Sequence, residues 1–243
     1  MVNIRDAKQQ VRESVWDLLA REYAAAPDVH GYIPAFAGAE QAAERLAALP
    51  VWASAQVVKA VPDKAQEPVR ARALAERKIL YMAVPKLAES LPFRLLDPAI
   101  LPVPPDQAAS RHVAAEVARP VGVNDMRPVD LVVVGSVAVN RHGARLGKGG
   151  GYADIEFALL HEAGLLAPTT VIVTTVHDLQ VVDDDLDLPE TRHDFRVDLV
   201  VTPTQVITCG PARRPEGLYW DDLDEATIAA IPVLAAPRRD SGA

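Results

Sequence analysis

One cysteine, Cys209, is all that a chain of 243 residues offers. With a single thiol no disulfide can form within the chain, and a zinc site built on paired cysteines is excluded. Positive charge is also short. Twenty-five Lys and Arg face 33 Asp and Glu, a formal balance of −8, which argues against a nucleic-acid or anionic-membrane partner, because phosphate surfaces are bound by clustered cations. No apolar run approaches the roughly 18 residues of a membrane span. The N-terminal stretch MVNIRDAKQQVRESVW is charged and amphipathic, unlike a signal peptide. Internal repeats and low-complexity tracts are missing as well. These absences predict a soluble, cytoplasmic protein that folds around its own core.

What is present suffices for that core. The chain is 49% hydrophobic and 24% charged, and a compact fold of this size buries roughly 70–75% of the surface its unfolded chain exposes. Residues 4–23 read as a helix, with Val11, Val15, Leu18 and Leu19 forming an apolar stripe. Residues 39–49 read as a second helix ending before Pro50. AQVVKAV (55–61) and KILYMAV (78–84) look like strands around a polar stretch. Six prolines between Pro85 and Pro105 exclude a central strand or a long helix and predict an ordered irregular segment. Residues 106–118 suit a helix capped by Asp106. LVVVGSVAV (131–139), TTVIVTTV (169–176) and VDLVVTP (197–203) are apolar and β-branched, the pattern of parallel strands buried on both faces. A helix from about Tyr152 to Ala163 and a short amphipathic one in 220–234 complete the reading, with a frayed tail over 235–243. Strands alternating with helices predict an α/β fold with a mostly parallel sheet, one domain over 1–243.

Chemistry concentrates in Arg145-Leu-Gly-Lys-Gly-Gly-Gly-Tyr-Ala-Asp154, between a buried strand and a helix. Glycines free backbone N–H groups to converge on an anion, and the start of the next helix adds partial positive charge. Arg145 and Lys148 supply full charges, and Asp154 can hold a Mg²⁺ that bridges phosphates. The alternative is a turn that merely joins strand to helix. The stretch is neither of two common phosphate signatures. Gly143 and Gly147 are one residue too close for a P-loop, and Gly149 follows Lys148 where Ser or Thr is required. In the dinucleotide fingerprint the last glycine would fall at Tyr152.

The stretch resembles the RLGxGxGYYD motif of the 5-formyltetrahydrofolate cyclo-ligases, or methenyltetrahydrofolate synthetases, and the resemblance covers nearly the whole chain. The family's early K-x-x-x-R matches Lys8 and Arg12, and its late motif matches Pro189, Glu190, Asp194, Asp198 and Thr202. The resemblance implies a three-layer α/β/α architecture of the NagB/RpiA/CoA-transferase-like kind and the ATP- and Mg²⁺-dependent conversion of 5-formyltetrahydrofolate to 5,10-methenyltetrahydrofolate. ATP phosphorylates the formyl oxygen, N10 closes the ring, and phosphate departs. By the same resemblance Lys8, Arg12, Arg145 and Lys148 neutralise phosphate charge, and Gly147, Gly149, Gly150 and Gly151 offer backbone donors. Asp154 and Asp194 hold Mg²⁺, Tyr152 lines both nucleotide and substrate, and Glu67 lies on the folate side.

Two departures stand out. The family's tandem tyrosines are Tyr152-Ala153, and its folate-side E-x-x-T falls at Glu67-Pro-Val-Arg70, where only the glutamate fits. The VHGYIPAF insertion and the closing segment resemble the cyclo-ligase-like, methenyltetrahydrofolate synthetase domain-containing branch. A paralogue acting on another small molecule, in thiamin-related metabolism for instance, and a nucleotide-binding regulatory protein are therefore the alternatives. No RNP-like stretch of an RNA-recognition module is present.

Other residues take plainer readings. Asp183, Asp184, Asp185 and Asp187 suit a solvated acidic turn. His177-Asp178 and His193-Asp194 have no third ligand at helical spacing. Ser136 lacks G-x-S-x-G. Trp16, Trp52 and Trp220 suit packing positions, and Cys209 a small buried hydrophobe. The oligomeric state is not encoded in any feature noted above.

Overall fold

A computed structural model describes residues 3–182, 188–210 and 213–236. Its centre is an eight-stranded sheet in the order β10-β9-β8-β5-β1-β2-β3-β4. The strands are β1 (Val57–Ala60), β2 (Ile79–Ala83), β3 (Phe93–Leu96), β4 (Arg119–Val121), β5 (Val129–Val134), β8 (Leu166–Thr175), β9 (Leu199–Val201) and β10 (Val206–Thr208). A separate two-stranded ribbon pairs β6 (Ala138–Val139) with β7 (Arg145–Leu146). The five strands from β9 to β2 run parallel, and antiparallel pairs close both sides of the sheet.

Nine helices flank these strands among the described residues: α1 (Ile4–Arg21), α2 (Ala39–Ala47), α3 (Pro50–Ser54), α4 (Glu67–Ala75), α5 (Pro105–Ala108), α6 (Arg111–Val117), α7 (Tyr152–Glu162), α8 (Glu225–Ala230) and α9 (Pro232–Ala235). Strand period decides which residues face which layer. On β5, Val132 and Val134 join the cluster containing Phe157 and Leu160 of α7, whereas Leu131 and Val133 join Leu46 of α2 and Val69 of α4 on the other side. Both faces are thus dry, as the uninterrupted apolar strands require. A third cluster seats Val15, Trp16 and Leu19 of α1 against Ala138 and Leu146 of the ribbon, with Ile33 and Phe36 of the 29–36 insertion.

Three expectations are corrected. The proline-dense segment does contain an interior strand, β3, paired on both sides, because Phe-Arg-Leu-Leu is a proline-free gap wide enough for a ladder. Two strands elsewhere hold a proline: Pro120 of β4 is on the sheet edge, where a missing N–H is harmless, and Pro168 of β8 falls where the register against β5 shifts between Leu166 and Val171. Asp106 caps no helix: α5 starts from Pro104, and a second short helix, α6, starts from Ser110. The apolar run 131–139 is not one strand. It breaks after Val134, and Gly135 passes so close to Ile33 that a Cβ would come within 2.9 Å of Cγ2. The polar stretch after β1 holds α4. The expected acidic turn at Asp183, Asp184, Asp185 and Asp187, and most of the expected frayed tail, lie outside the described residues. No described helix is long and apolar enough to cross a membrane.

Candidate functional site

The chain enters the middle of the sheet at β1, adds β2 on one side, then places β5 on the other. Such a reversal opens a crevice beyond the carboxyl ends of the strands, where open α/β sheets bind ligands. Asp63 follows β1 there. The glycine-rich loop follows β5 through the β6–β7 ribbon, and Lys148 on this loop reaches Asp63 Oδ1 at 3.3 Å.

Glycine is required at specific points of the loop. Gly149 (φ +105°) and Gly151 (φ +68°) are left-handed, and Gly151 caps α7. The Tyr152 ring folds back over Gly150, where a Cβ would sit 2.8 Å from it. The N–H groups of Gly149, Gly150 and Gly151 make no hydrogen bond to another described residue, so they stay available to an anion beside the α7 N-terminus.

α1 lies over this loop. Arg12 Nε donates to Gly147 O at 2.7 Å, and its guanidinium lies 3.6 Å from where a Gly149 Cβ would be. One turn earlier, Lys8 Nζ donates to Asp194 Oδ2 at 2.6 Å. Arg145 Nη2 donates to Asp154 Oδ1 at 2.7 Å, and its guanidinium stacks 3.9 Å from the Phe195 ring centroid, which in turn stacks on Phe157 of α7. Arg145 Nε is buried without a hydrogen-bond partner among the described residues. Lys8, Arg12, Arg145 and Lys148 therefore border the same loop. Three of them are ion-paired to carboxylates of the chain, and Arg12 holds a carbonyl.

The two carboxylates differ. Burial pushes Asp154 above the usual range, an effect Arg145 opposes and Asp194 reinforces. Burial also acts to raise Asp194, but the Lys8 ammonium and the Thr191 N–H and hydroxyl, at 2.5 and 2.8 Å, hold it below the usual range. Arg12 is lowered by burial despite both aspartates. Asp154 and Asp194 are thus electrostatic neighbours whose donors are all oxygen, the set that suits Mg²⁺ completed by phosphate and water. Among the described residues no group of three or more His, Cys, Asp or Glu could hold a metal by itself.

Glu67 stands apart from the loop. It lies in the first turn of α4 and faces Lys64 Nζ at 2.5 Å and Arg70 Nη2 at 3.9 Å. The rest of the late motif is structural. Glu190 pairs with Arg196, Asp198 accepts from Ile172 N and Arg214, and Thr202 donates to Asp178 at 2.5 Å. His177 Nδ1 accepts from Leu179 N, while His193 faces Asp222, so the two histidines serve different partners. Ser136 hydrogen-bonds Thr174 in the core. Trp16 and Trp52 are buried, and Trp220 packs against the α7 side of the sheet. Cys209 is half-buried, its thiol pushed up to about 11 by burial and by Asp198.

Sequence reasoning missed Asp63, Thr191, Phe195 and a fully enclosed ion pair between Lys59 of β1 and Glu156 of α7. Thr191 could have been found from its place three residues before Asp194, the spacing of a side-chain-to-backbone turn. Asp63 carried no signal.

Fold and site together define an α/β protein with a cation-bordered glycine loop at a topological switch point. Comparison with known proteins sharpens this. The model of the 5-formyltetrahydrofolate cyclo-ligase family matches residues 4–203, and the chain belongs to that family. It is 38% identical over 242 residues to the "Methenyltetrahydrofolate synthase domain-containing protein" of Bos taurus, covering 96% of this chain and 62% of that protein. It is 41% identical over 238 residues to the Mus musculus protein of the same name, covering 94% and 62%. The chain thus spans about 62% of the length of these relatives. The "5-formyltetrahydrofolate cyclo-ligase" of Mycolicibacterium smegmatis is 36% identical over 78 residues, 32% of this chain and 36% of that protein. Among solved structures, the 5,10-methenyltetrahydrofolate synthetase of Aquifex aeolicus superposes with a TM-score of 0.54 at 23% identity, over 87% of this chain and 97% of that one. At that identity it shows the shared fold.

Proposed function

We propose that the chain is an ATP- and Mg²⁺-dependent cyclo-ligase that converts 5-formyltetrahydrofolate to 5,10-methenyltetrahydrofolate with release of ADP and phosphate. One observation carries the reading: four cations border a glycine loop whose N–H groups are unengaged, beside two coupled carboxylates. Bound ATP supplies the phosphoryl group that turns the formyl oxygen into a leaving group, and Mg²⁺ supplies charge neutralisation across the phosphates. The protein's own part is positioning and electrostatic stabilisation. Gly149, Gly150 and Gly151 donate to phosphate oxygens, with Gly147 held in register by Arg12. Lys8, Arg12, Arg145 and Lys148 counter the developing charge, and the orphaned Nε of Arg145 has a donor to spare. Asp154 and Asp194 would hold the metal, Tyr152 lines the substrate side, and Glu67 contributes on the folate side.

The test is direct. Protein, Mg-ATP and 5-formyltetrahydrofolate are mixed and the methenyl absorbance followed; product formation dependent on ATP supports the proposal, and its absence sinks it. A second reading has its own support. Relatives matching over 94–96% of the chain bear the domain-containing name, whereas the cyclo-ligase of M. smegmatis matches over a third, and Ala153 replaces a family tyrosine. On that reading the nucleotide site serves another small molecule, or regulation without turnover. Tight ATP binding by calorimetry without methenyl product distinguishes it.

A further inference from the structure

Asp194 lies in a stretch, 188–198, that is neither helix nor strand, and the three residues before it all meet one distant segment. Arg213 Nη2 donates to the Thr191 carbonyl. Arg192 Nε donates to Asp222 Oδ2 at 2.5 Å, and its guanidinium lies 4.5 Å from the Tyr219 ring centroid. His193 Nε2 meets the same Asp222 oxygen at 2.8 Å, and its ring stands perpendicular to that of Tyr219 with 5.2 Å between centroids. The backbone joins in, since Arg196 N donates to Arg213 O at 2.9 Å.

The far end of this segment reaches α1. Asp224 is close enough to Arg5, in the first turn of that helix, to feel its charge. About one turn further on, Lys8 holds Asp194 at 2.6 Å. Residues 213–224 therefore bridge the two elements whose side chains meet at Asp194. Leu218, Trp220 and Leu223 anchor the bridge by packing on the α7 side of the core. The whole segment lies beyond residues 4–203, the stretch that matches the family.

An ion pair as exposed as that of Arg192 with Asp222, at 52% and 38% of their side chains, adds little to global stability. Contacts on three consecutive residues do restrict the backbone that aims the next side chain. Phe195, on the other flank of Asp194, is already fixed by its stacks on Arg145 and Phe157, so the hold on the N-terminal flank falls to this segment. We infer that residues 213–224 form a strap that aims Asp194, with Tyr219 and Asp222 as positioning residues for the metal and phosphate end of the site. The inference rests on reading Asp194 as a metal ligand of a nucleotide site, where loss of outer partners weakens the metal held by the inner ones.

The experiment is calorimetry of ATP binding to the full chain, in MgCl2 and in EDTA, together with amide hydrogen exchange of the unliganded protein over 190–196. The readout is the factor by which Mg²⁺ tightens ATP. Asp222→Ala and Tyr219→Leu are each expected to cut that factor about tenfold, with metal-free ATP affinity largely unchanged and faster exchange at 191–194. Leu46→Ala opens a cavity on the opposite face of the sheet; it is expected to lower the thermal midpoint and leave the factor alone, which separates aiming from general loosening. A factor unchanged in either strap variant, an equal loss in Leu46→Ala, or exchange over 190–196 as slow as in wild type overturns the strap. ATP binding to wild type that Mg²⁺ does not tighten overturns it as well. No ATP binding to wild type under either condition overturns the nucleotide reading itself, and the inference with it.

Discussion

Replacing Lys59 by Met should be among the most damaging single changes outside the glycine loop. Lys59 lies in the middle of β1, paired with Tyr81 on one neighbour and Val132 on the other. Its side chain and that of Glu156 are 2% and 7% exposed and form a direct ion pair that joins the sheet to α7. Removing one partner leaves a charge in a water-free layer, which costs about 3–5 kcal/mol, whereas replacing both by apolar residues of similar volume is often neutral or stabilising. For a chain of this size each kcal/mol is worth about 2–4 °C, so Lys59→Met should lower the midpoint by roughly 6–20 °C. Glu156→Met should act in the same direction, and the double variant Lys59→Met/Glu156→Met should recover most of the loss. Urea unfolding of the four proteins closes the cycle. Single variants within about 1 kcal/mol of wild type, or a double variant as unstable as the sum of the singles, would refute the claim that the pair is enclosed and mutually dependent.

Lys148→Ala should weaken ATP binding while hardly moving stability, because its pair with Asp63 is 44% exposed on the lysine side and such pairs contribute about 0–1 kcal/mol; unchanged affinity by calorimetry would remove Lys148 from the phosphate site. Gly143→Ala should destabilise strongly, since φ is +82° and the new Cβ would come 2.3 Å from the Val197 carbonyl oxygen; a thermal midpoint like that of wild type would contradict this. Asp178 gives a pH prediction. Burial acts to raise it, but hydrogen bonds from Thr202, Thr204 and Gln205 prevail and hold it below the usual carboxylate range. Its stabilising contribution is therefore full above the ordinary value of about 3.9 and is lost as the pH falls through the lower folded value. Asp178→Asn should flatten that acid limb in unfolding experiments between pH 5 and 2, and an unaltered limb would place the acid sensitivity elsewhere.

The sequence by itself determined the parallel sheet and the glycine-rich turn with its open backbone donors, because both are local. Apolar runs such as LVVV at 131–134 have nowhere to go but between two helical layers, and Gly149-Gly-Gly151 after a buried strand exposes backbone donors whatever the rest of the fold does. Even the departures were legible at this range: β3 was hidden by counting prolines over a segment rather than reading the proline-free gap at 93–96. Only the tertiary structure decided the partners. That Lys8 meets Asp194, that Lys148 meets Asp63, and that Lys59 is neutralised by Glu156 are contacts across as many as 186 residues of chain. No periodicity or spacing encodes them, because ion pairs are fixed by where the sheet order brings strand ends together, and that order is set by the packing of both faces at once.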